Sequence, residues 1–317
     1  MKTHISMQTY AKNYLDERRG LGFILKSPGY SIKEFAHYVD SFDCKRPLTV
    51  EVMLDWAKQD KRNSGDPLTW GRRLQNLRPF THYLQQFEPE TEIPEKSVFG
   101  RINRRLAPHI YTENEIKDLL NAAHHLKPEG GLRSATYETL FGLIASTGLR
   151  VSEAVSLLNN DVDLKHGMLT IRQTKFSKSR YVPLHPTAIK ELRKYYLLRN
   201  SYTHTSDEAT FFIGSRGVHL GQQLSLRVVR HTFANLRNQL NWVNRGSHHA
   251  PRIHDLRHTF VVRRILIWYA QNVNIDQGML SLSTYLGHAK VSDTYWYLTG
   301  VPELMAVAGK QFELFTQ

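Results

Sequence analysis

Over the first ninety or so residues, apolar side chains recur at helical spacing and never in a sustained alternating run, so this region reads as short helices separated by turns. Ser31 and Glu34 have capping-box spacing ahead of the stripe Phe35, Tyr38 and Val39, which predicts a helix start at Ser31. Another helix is expected near Thr49. The longest pattern, Trp70, Leu74, Leu77, Tyr83, Leu84 and Phe87, predicts a further helix that Pro79 should kink or begin. A small all-helical domain over residues 1–88 follows.

From Glu88 to Pro108 the pattern breaks. Pro89, Pro94 and Pro108 punctuate an acidic stretch that turns basic at Arg101, Arg104 and Arg105, so residues 89–108 are expected to form a linker. Beyond it, Thr112 and Glu115 again have capping-box spacing, ahead of Ile116, Leu119 and Leu120. Residues 109–317 read as a second, mostly helical domain with one hairpin. Met168 to Gln173 and Arg180 to Leu184 are rich in strand formers, with Lys175, Phe176, Ser177 and Lys178 in or beside the connection. Helices are expected over residues 186–199, 224–240, 254–269 and 277–286. The fold class is therefore mainly α with a small antiparallel sheet.

Charge narrows the choice of partner. Among 317 residues, 42 Lys+Arg oppose 29 Asp+Glu, a net charge of +13, which suits a polyanion. An anionic membrane would suit it too, but the apolar run Phe260 to Ala270 is interrupted by Arg263 and Arg264, well short of the roughly 20 residues of a span. The first residues lack the apolar core of a signal peptide, so a cytoplasmic protein with no membrane partner is expected. The lone Cys44 can form neither an internal disulfide nor a thiolate metal site by itself.

Three short segments could carry chemistry. In Thr147-Gly148-Leu149-Arg150-Val151-Ser152-Glu153, Gly148 can end one helix and Arg150 lies at the start of the next, where Glu153 can orient its guanidinium. In His254-Asp255-Leu256-Arg257-His258, helical spacing puts His254 and Arg257 on one face, an imidazole for proton transfer beside a planar cation for a phosphate. Leu286-Gly287-His288 marks a helix end, and Tyr297 follows nine positions after His288. A phenol, with an ordinary pKa of about 10, becomes a nucleophile only where a base takes its proton and cations hold the electrophile.

This series, with the basic hairpin between its first and second members, resembles the active-site series of the tyrosine recombinases, the family of phage integrases and bacterial chromosome-dimer resolvases. The likeness covers about residues 110 to 300. It implies that Arg150 and Arg257 clamp a scissile phosphate, that His254 is a general acid/base, and that His288 is a further phosphate-binding group. It also implies that Glu153 supports the site, that Lys175 protonates the leaving 5′-hydroxyl, and that Tyr297 is the nucleophile. Lys175 is flanked by Thr174 and Phe176 rather than the family's frequent glycines, which leaves Lys178 as the alternative acid; Tyr295 is the alternative nucleophile.

The resemblance further implies a two-domain clamp on double-stranded DNA at specific recombination sites, assembly to a tetramer across two such sites, and neither metal nor other cofactor. Arg72, Arg73, Arg104, Arg105, Lys178 and Arg180, with Lys61 and Arg62, are candidate phosphate contacts. From Pro302, Leu304, Ala308, Phe312 and Phe315 recur at helical spacing and suggest a segment that docks on a neighbouring protomer. The alternatives are a non-catalytic DNA-binding protein on the same fold, a type IB topoisomerase, and a metal-dependent nuclease using His254 and His258 at i,i+4 spacing with His248 and His249 nearby.

Overall fold

The computed structural model describes residues 5–42, 47–59, 65–100, 105–172, 179–306 and 309. The chain divides into two compact units, Met1–Arg104 and Arg105–Gln317. Cys44, Lys61, Arg62, Arg104, Lys175 and Lys178 lie outside the described residues.

The first unit contains helices α1 (Met7–Gly20), α2 (Lys26–Ser41), α3 (Val50–Lys58) and α4 (Pro67–Leu84). They converge on Met7, Leu15, Ile32, Phe35, Met53, Trp56, Leu77 and Phe80, all buried. The start expected at Ser31 is not observed. Leu25 caps α2 from the left-handed region, so the helix is already under way at Lys26. Ser31 instead accepts from Asn76 at 3.2 Å, and Glu34 pairs with Arg73 at 3.3 Å. Pro79 neither starts nor ends α4, because Leu77, Phe80 and Leu84 on either side of it are held in the core.

The proline-rich stretch expected as a linker is partly fastened down. The amide of Glu92 donates to the Leu48 carbonyl at 2.9 Å, Arg78 donates to the Pro94 carbonyl, and Phe99 meets Trp70 edge-on at 5.5 Å. Residues 92–99 thus belong to the helical unit; their backbone groups find partners on it.

The second unit opens with α5 (Glu113–His124), where the expected capping box forms: Glu115 N–H donates to Thr112 Oγ1 at 3.1 Å and Thr112 N–H to the Glu115 carboxylate at 2.7 Å. Next come α6 (Leu132–Thr147) and the short α7 (Val151–Val155). Strands β1 (Val162–Asp163), β2 (Met168–Ile171) and β3 (Arg180–Pro183) then form an antiparallel sheet in the order β1-β2-β3. The hairpin is the one anticipated, with Leu169 opposite Val182 and both buried; β1 was not anticipated, being only two residues long.

After the sheet follow α8 (Pro186–Tyr202), α9 (Leu226–Leu240), α10 (Ile253–Ala270), α11 (Ile275–Leu286) and α12 (Ser292–Gly300). Helix α6 packs against α5, α8 and α10, and its Leu140, Phe141 and Ile144 are among the most buried residues of the main core. A separate apolar cluster joins Val261, Val262 and Ile265 of α10 to Met279, Leu282 and Leu286 of α11 and to Tyr297 of α12. That cluster packs three helices against one another. Among the described residues, no helix is long and apolar enough to cross a membrane.

Candidate active site

Two glycines fix the backbone on which the site is built. Gly148 ends α6 at φ 65°, and a Cβ there would lie 2.6 Å from Phe260. Gly287 ends α11 at the same φ, and a Cβ would lie 2.8 Å from the Arg180 guanidinium. The left-handed conformation favours glycine at both positions, and at Gly148 the Phe260 ring also leaves no room for a Cβ.

Arg150 stands immediately before α7. Its amide donates to Glu153 at 3.0 Å, its Nη1 donates to the other Glu153 oxygen at 2.7 Å, and its Nη2 reaches towards the Gly287 carbonyl at 3.4 Å. Arg257, on α10, is 2 % exposed and donates to two main-chain carbonyls, Gly148 at 2.7 Å and Leu286 at 2.9 Å. One guanidinium therefore ties together the ends of α6 and α11. Burial and the repulsion of Arg150 push the Arg257 pKa down to about 10, so it stays charged at neutral pH.

Arg180 was expected to meet DNA, but its guanidinium is turned inward. It donates to both oxygens of Glu153, at 3.2 and 2.9 Å, and through Nε to the Tyr285 carbonyl at 2.7 Å, with its side chain only 9 % exposed. Glu153 is thus shared by two arginines. Burial opposes its ionisation, yet the hydrogen bonds and charge of Arg180, then the amide and guanidinium of Arg150, hold its pKa near 2. Three guanidiniums share this carboxylate's neighbourhood, and the excess positive charge is poised for an anion.

His288 follows Gly287, half-buried, with Nδ1 2.7 Å from the hydroxyl of the fully buried Thr294 on α12. Burial and the charges of Arg257 and Arg150 lower its pKa to about 4. His254 lies in the first turn of α10 and is open to solvent. Crowding by the surrounding protein and the charges of Arg257 and Arg252 lower its pKa below the ordinary imidazole value. Both imidazoles are therefore neutral at pH 7 in the free protein.

Tyr297 is 3 % exposed and its hydroxyl lies 2.7 Å from His258 Nδ1. Burial raises the phenol to about 12, opposed by the charges of Arg257, Arg105 and Arg150. Tyr295, by contrast, is exposed and donates to Asp276 at 2.8 Å. Arg150, Glu153, Arg257, His254, His288 and Tyr297 thus share one electrostatic neighbourhood, and the Tyr295 hydroxyl is engaged elsewhere. Among the described residues, no three His, Cys, Asp or Glu side chains converge as metal ligands.

The remaining candidates divide by exposure. Arg105 pairs with Asp293 and lies 5.6 Å from the Trp296 ring, its side chain half exposed. Arg72 is exposed on α4. Arg73 differs: it stacks 4.0 Å from the Trp56 ring centroid, pairs with Glu34 and donates to the Trp56 carbonyl, so it is packed within the helical unit. Three contributors were missed from the sequence, namely His258, Thr294 and the inward role of Arg180. For His258 a signal existed, because i,i+4 spacing places it on the face of His254.

The family model "Phage integrase family" matches residues 110–301, a span that contains Arg150, Glu153, Arg180, His254, Arg257, His288 and Tyr297. This chain belongs to the phage integrase family. It is a tyrosine-type DNA recombinase, as its relatives bear out. It is 36% identical over 305 residues, 95% of either chain, to a Sinorhizobium fredii protein named as an integrase/recombinase, y4rB. It is 30% identical over 227 residues, 71% of this chain and 67% of the relative, to the tyrosine recombinase XerC of Chromobacterium violaceum.

Solved structures agree on the fold of this family. The site-specific recombinase XerH, in a post-cleavage complex with its difH substrate, aligns with a TM-score of 0.66 at 18% identity, over 96% of this chain and 85% of that one. A Tn1549 transposon integrase bound to circular-intermediate DNA aligns at 0.66 and 15% identity, over 91% and 94% of the two chains.

Proposed function

We propose that this recombinase cuts and rejoins DNA through Tyr297, with Arg150, Arg257 and His288 gripping the scissile phosphate. The observation that carries the reading is a buried phenol that feels the charges of two guanidiniums, themselves held by main-chain carbonyls and a carboxylate. Tyr297 Oη attacks phosphorus, an Oη–P bond forms, and the P–O5′ bond breaks. The products are a 3′-phosphotyrosyl link and a 5′-hydroxyl.

The phosphodiester energy is kept in that link, so rejoining to the 5′-hydroxyl of a partner strand needs no ATP. Charge grows on the non-bridging oxygens during each transfer, and preorganised donors favour that state over the ground state. Lys175, with Lys178 as its alternative, supplies the proton to the leaving oxygen, and His254 at the solvent-open start of α10 serves as acid or base beside the phosphate.

The helical unit and the catalytic unit each contact duplex DNA, and the protein acts in the cytoplasm. Arg72, Arg104, Arg105 and Lys178 are the phosphate contacts, and four protomers assemble across two recombination sites of a mobile element. The neighbours solved with DNA support the choice of partner.

The deciding experiment offers the protein nicked duplexes drawn from DNA flanking its own gene and maps any covalent junction. Attachment through Tyr297 at a 3′-phosphate, lost in Tyr297→Phe, is expected. Attachment that persists in Tyr297→Phe, or is found on Tyr295, sinks the assignment. Binding without attachment would favour the non-catalytic alternative.

A further inference from the structure

We propose that His258 is a catalytic residue of this recombinase: it holds the Tyr297 phenol in place and accepts its proton as the phenolic oxygen attacks phosphorus. The proposal rests on Tyr297 being the nucleophile.

His258 sits on α10 beside Arg257 and one turn beyond His254, so the helix that supplies the buried arginine also carries this imidazole to α12. Its Nδ1 lies 2.7 Å from Tyr297 Oη, with the ring centroids 5.5 Å apart. His254 and Trp296 wall the imidazole in, with centroids at 4.8 and 6.2 Å and both rings edge-on. With the hydrogen on Nε2, the phenol donates to the free lone pair of Nδ1. Tyr297 is 3 % exposed, so water has little access to its hydroxyl, whereas His254 stands open to solvent at the start of the helix.

In the free protein the electrostatics keep the acceptor unprotonated and too weak a base to take the phenolic proton before a phosphate binds. Burial pushes the phenol to about 12, so it does not ionise unaided. Burial, then the neighbouring His254, Arg252 and Arg257, keep the His258 imidazole neutral down to about 2. Its lone pair is therefore available at any working pH. A scissile phosphate brings negative charge into this positive field, which raises the affinity of the imidazole for a proton when the transfer is needed.

In the balanced step, Oη–P forms, P–O5′ breaks, the phenolic proton passes to Nδ1, and the 5′-oxygen takes its proton from the acid on the other side of the phosphate. On rejoining, the Nδ1–H returns that proton to the departing phenolate. The two proton transfers then belong to different residues. His258 serves the tyrosine, the hairpin lysine serves the 5′-oxygen, and His254 acts as acid or base toward the non-bridging phosphate oxygens.

That division can be tested with single-turnover attachment of the full-length chain to the nicked duplex mapped above, prepared with either the natural 5′-oxygen or sulfur at the bridging position. A thiolate leaves without protonation, so sulfur removes the need for an acid but not for a base. His258→Ala and His258→Asn are expected to bind DNA as the wild type does and to attach about a hundredfold more slowly on both substrates. Lys175→Ala is expected to recover on sulfur.

The asparagine places an amide oxygen near the position of Nδ1 but cannot carry a proton. If His258→Asn attaches within about tenfold of wild type, the residue only orients the phenol and proton acceptance is overturned. If sulfur restores either His258 variant, the residue serves the leaving group and the proposal is wrong. Tyr297→Phe is run beside them: attachment in that variant would refute the nucleophile itself, whatever the His258 variants do.

Discussion

Both units of the chain are rich in arginine, but their arginines do different things with their N–H groups. In the helical unit, Arg73 lies on Trp56 and pairs with Glu34, while Arg72 beside it is exposed. In the catalytic unit, Arg150, Arg180 and Arg257 turn toward one another, held by Glu153 and by the carbonyls of Gly148, Tyr285, Leu286 and Gly287. Like charges are brought together there at a cost, and what offsets it is the Glu153 carboxylate together with backbone oxygen at two helix ends. The number of basic residues therefore does not locate a phosphate-transfer site. The excess of buried positive charge over carboxylate does.

The largest expected effect comes from breaking that excess at its most buried point. Arg257→Lys keeps the charge, but an ammonium cannot reach the Gly148 and Leu286 carbonyls and a phosphate together from one planar fork. Attachment to a nicked site should fall about a hundred- to a thousandfold, with DNA affinity far less affected. A rate within about tenfold of wild type would mean that charge alone suffices and that the fork geometry is irrelevant.

Glu153→Gln removes the carboxylate that lets two arginines coexist. Its folded pKa near 2 lies below the ordinary carboxylate value of 4.5, so the stability it contributes is fully present above about pH 4.5 and is lost as pH falls through about 2. A shift of that size corresponds to at most about 3.5 kcal/mol. Wild type should melt above the variant by a constant margin from pH 7 down to about 5, and the margin should close between pH 4.5 and 2. A margin independent of pH would show that Glu153 acts by shape rather than charge.

The same contrast explains what could be read without coordinates. Gly148, Gly287 and Arg150 sit in short segments with local signals of their own, a left-handed helix end and a guanidinium one turn from its carboxylate, while Arg257 and Tyr297 are marked by the order and spacing that resemble the family's series. The capping box at Thr112 is of the same kind, and it forms. Ser31 and Glu34 have identical spacing and no box, because a left-handed Leu25 starts the helix earlier and Arg73 claims the glutamate. Roles that depend on distant partners were hidden. Arg180 looks like any hairpin arginine until Glu153, 27 positions away, and Tyr285, 105 away, are placed beside it. His258 reads as half of a metal pair until α12 delivers Tyr297 to its Nδ1.

The smallest effects should separate the two classes of arginine by salt dependence. An exposed arginine that neutralises a phosphate contributes about 0.9 to the slope of log affinity against log salt, because one counterion is released. Arg72→Gln should reduce the slope by that amount and leave single-turnover attachment unchanged at saturating protein. Arg180→Gln should leave the slope as it is and slow attachment about ten- to a hundredfold, since it leaves the buried Glu153 with Arg150 alone and loosens the Gly287 corner. Arg73→Gln should change neither reading while lowering the melting temperature, because its partners are Trp56 and Glu34. If Arg180→Gln flattens the salt slope as much as Arg72→Gln does, its guanidinium leaves Glu153 for a phosphate when DNA binds. The inward and outward arginines would then be interchangeable states of one set rather than two.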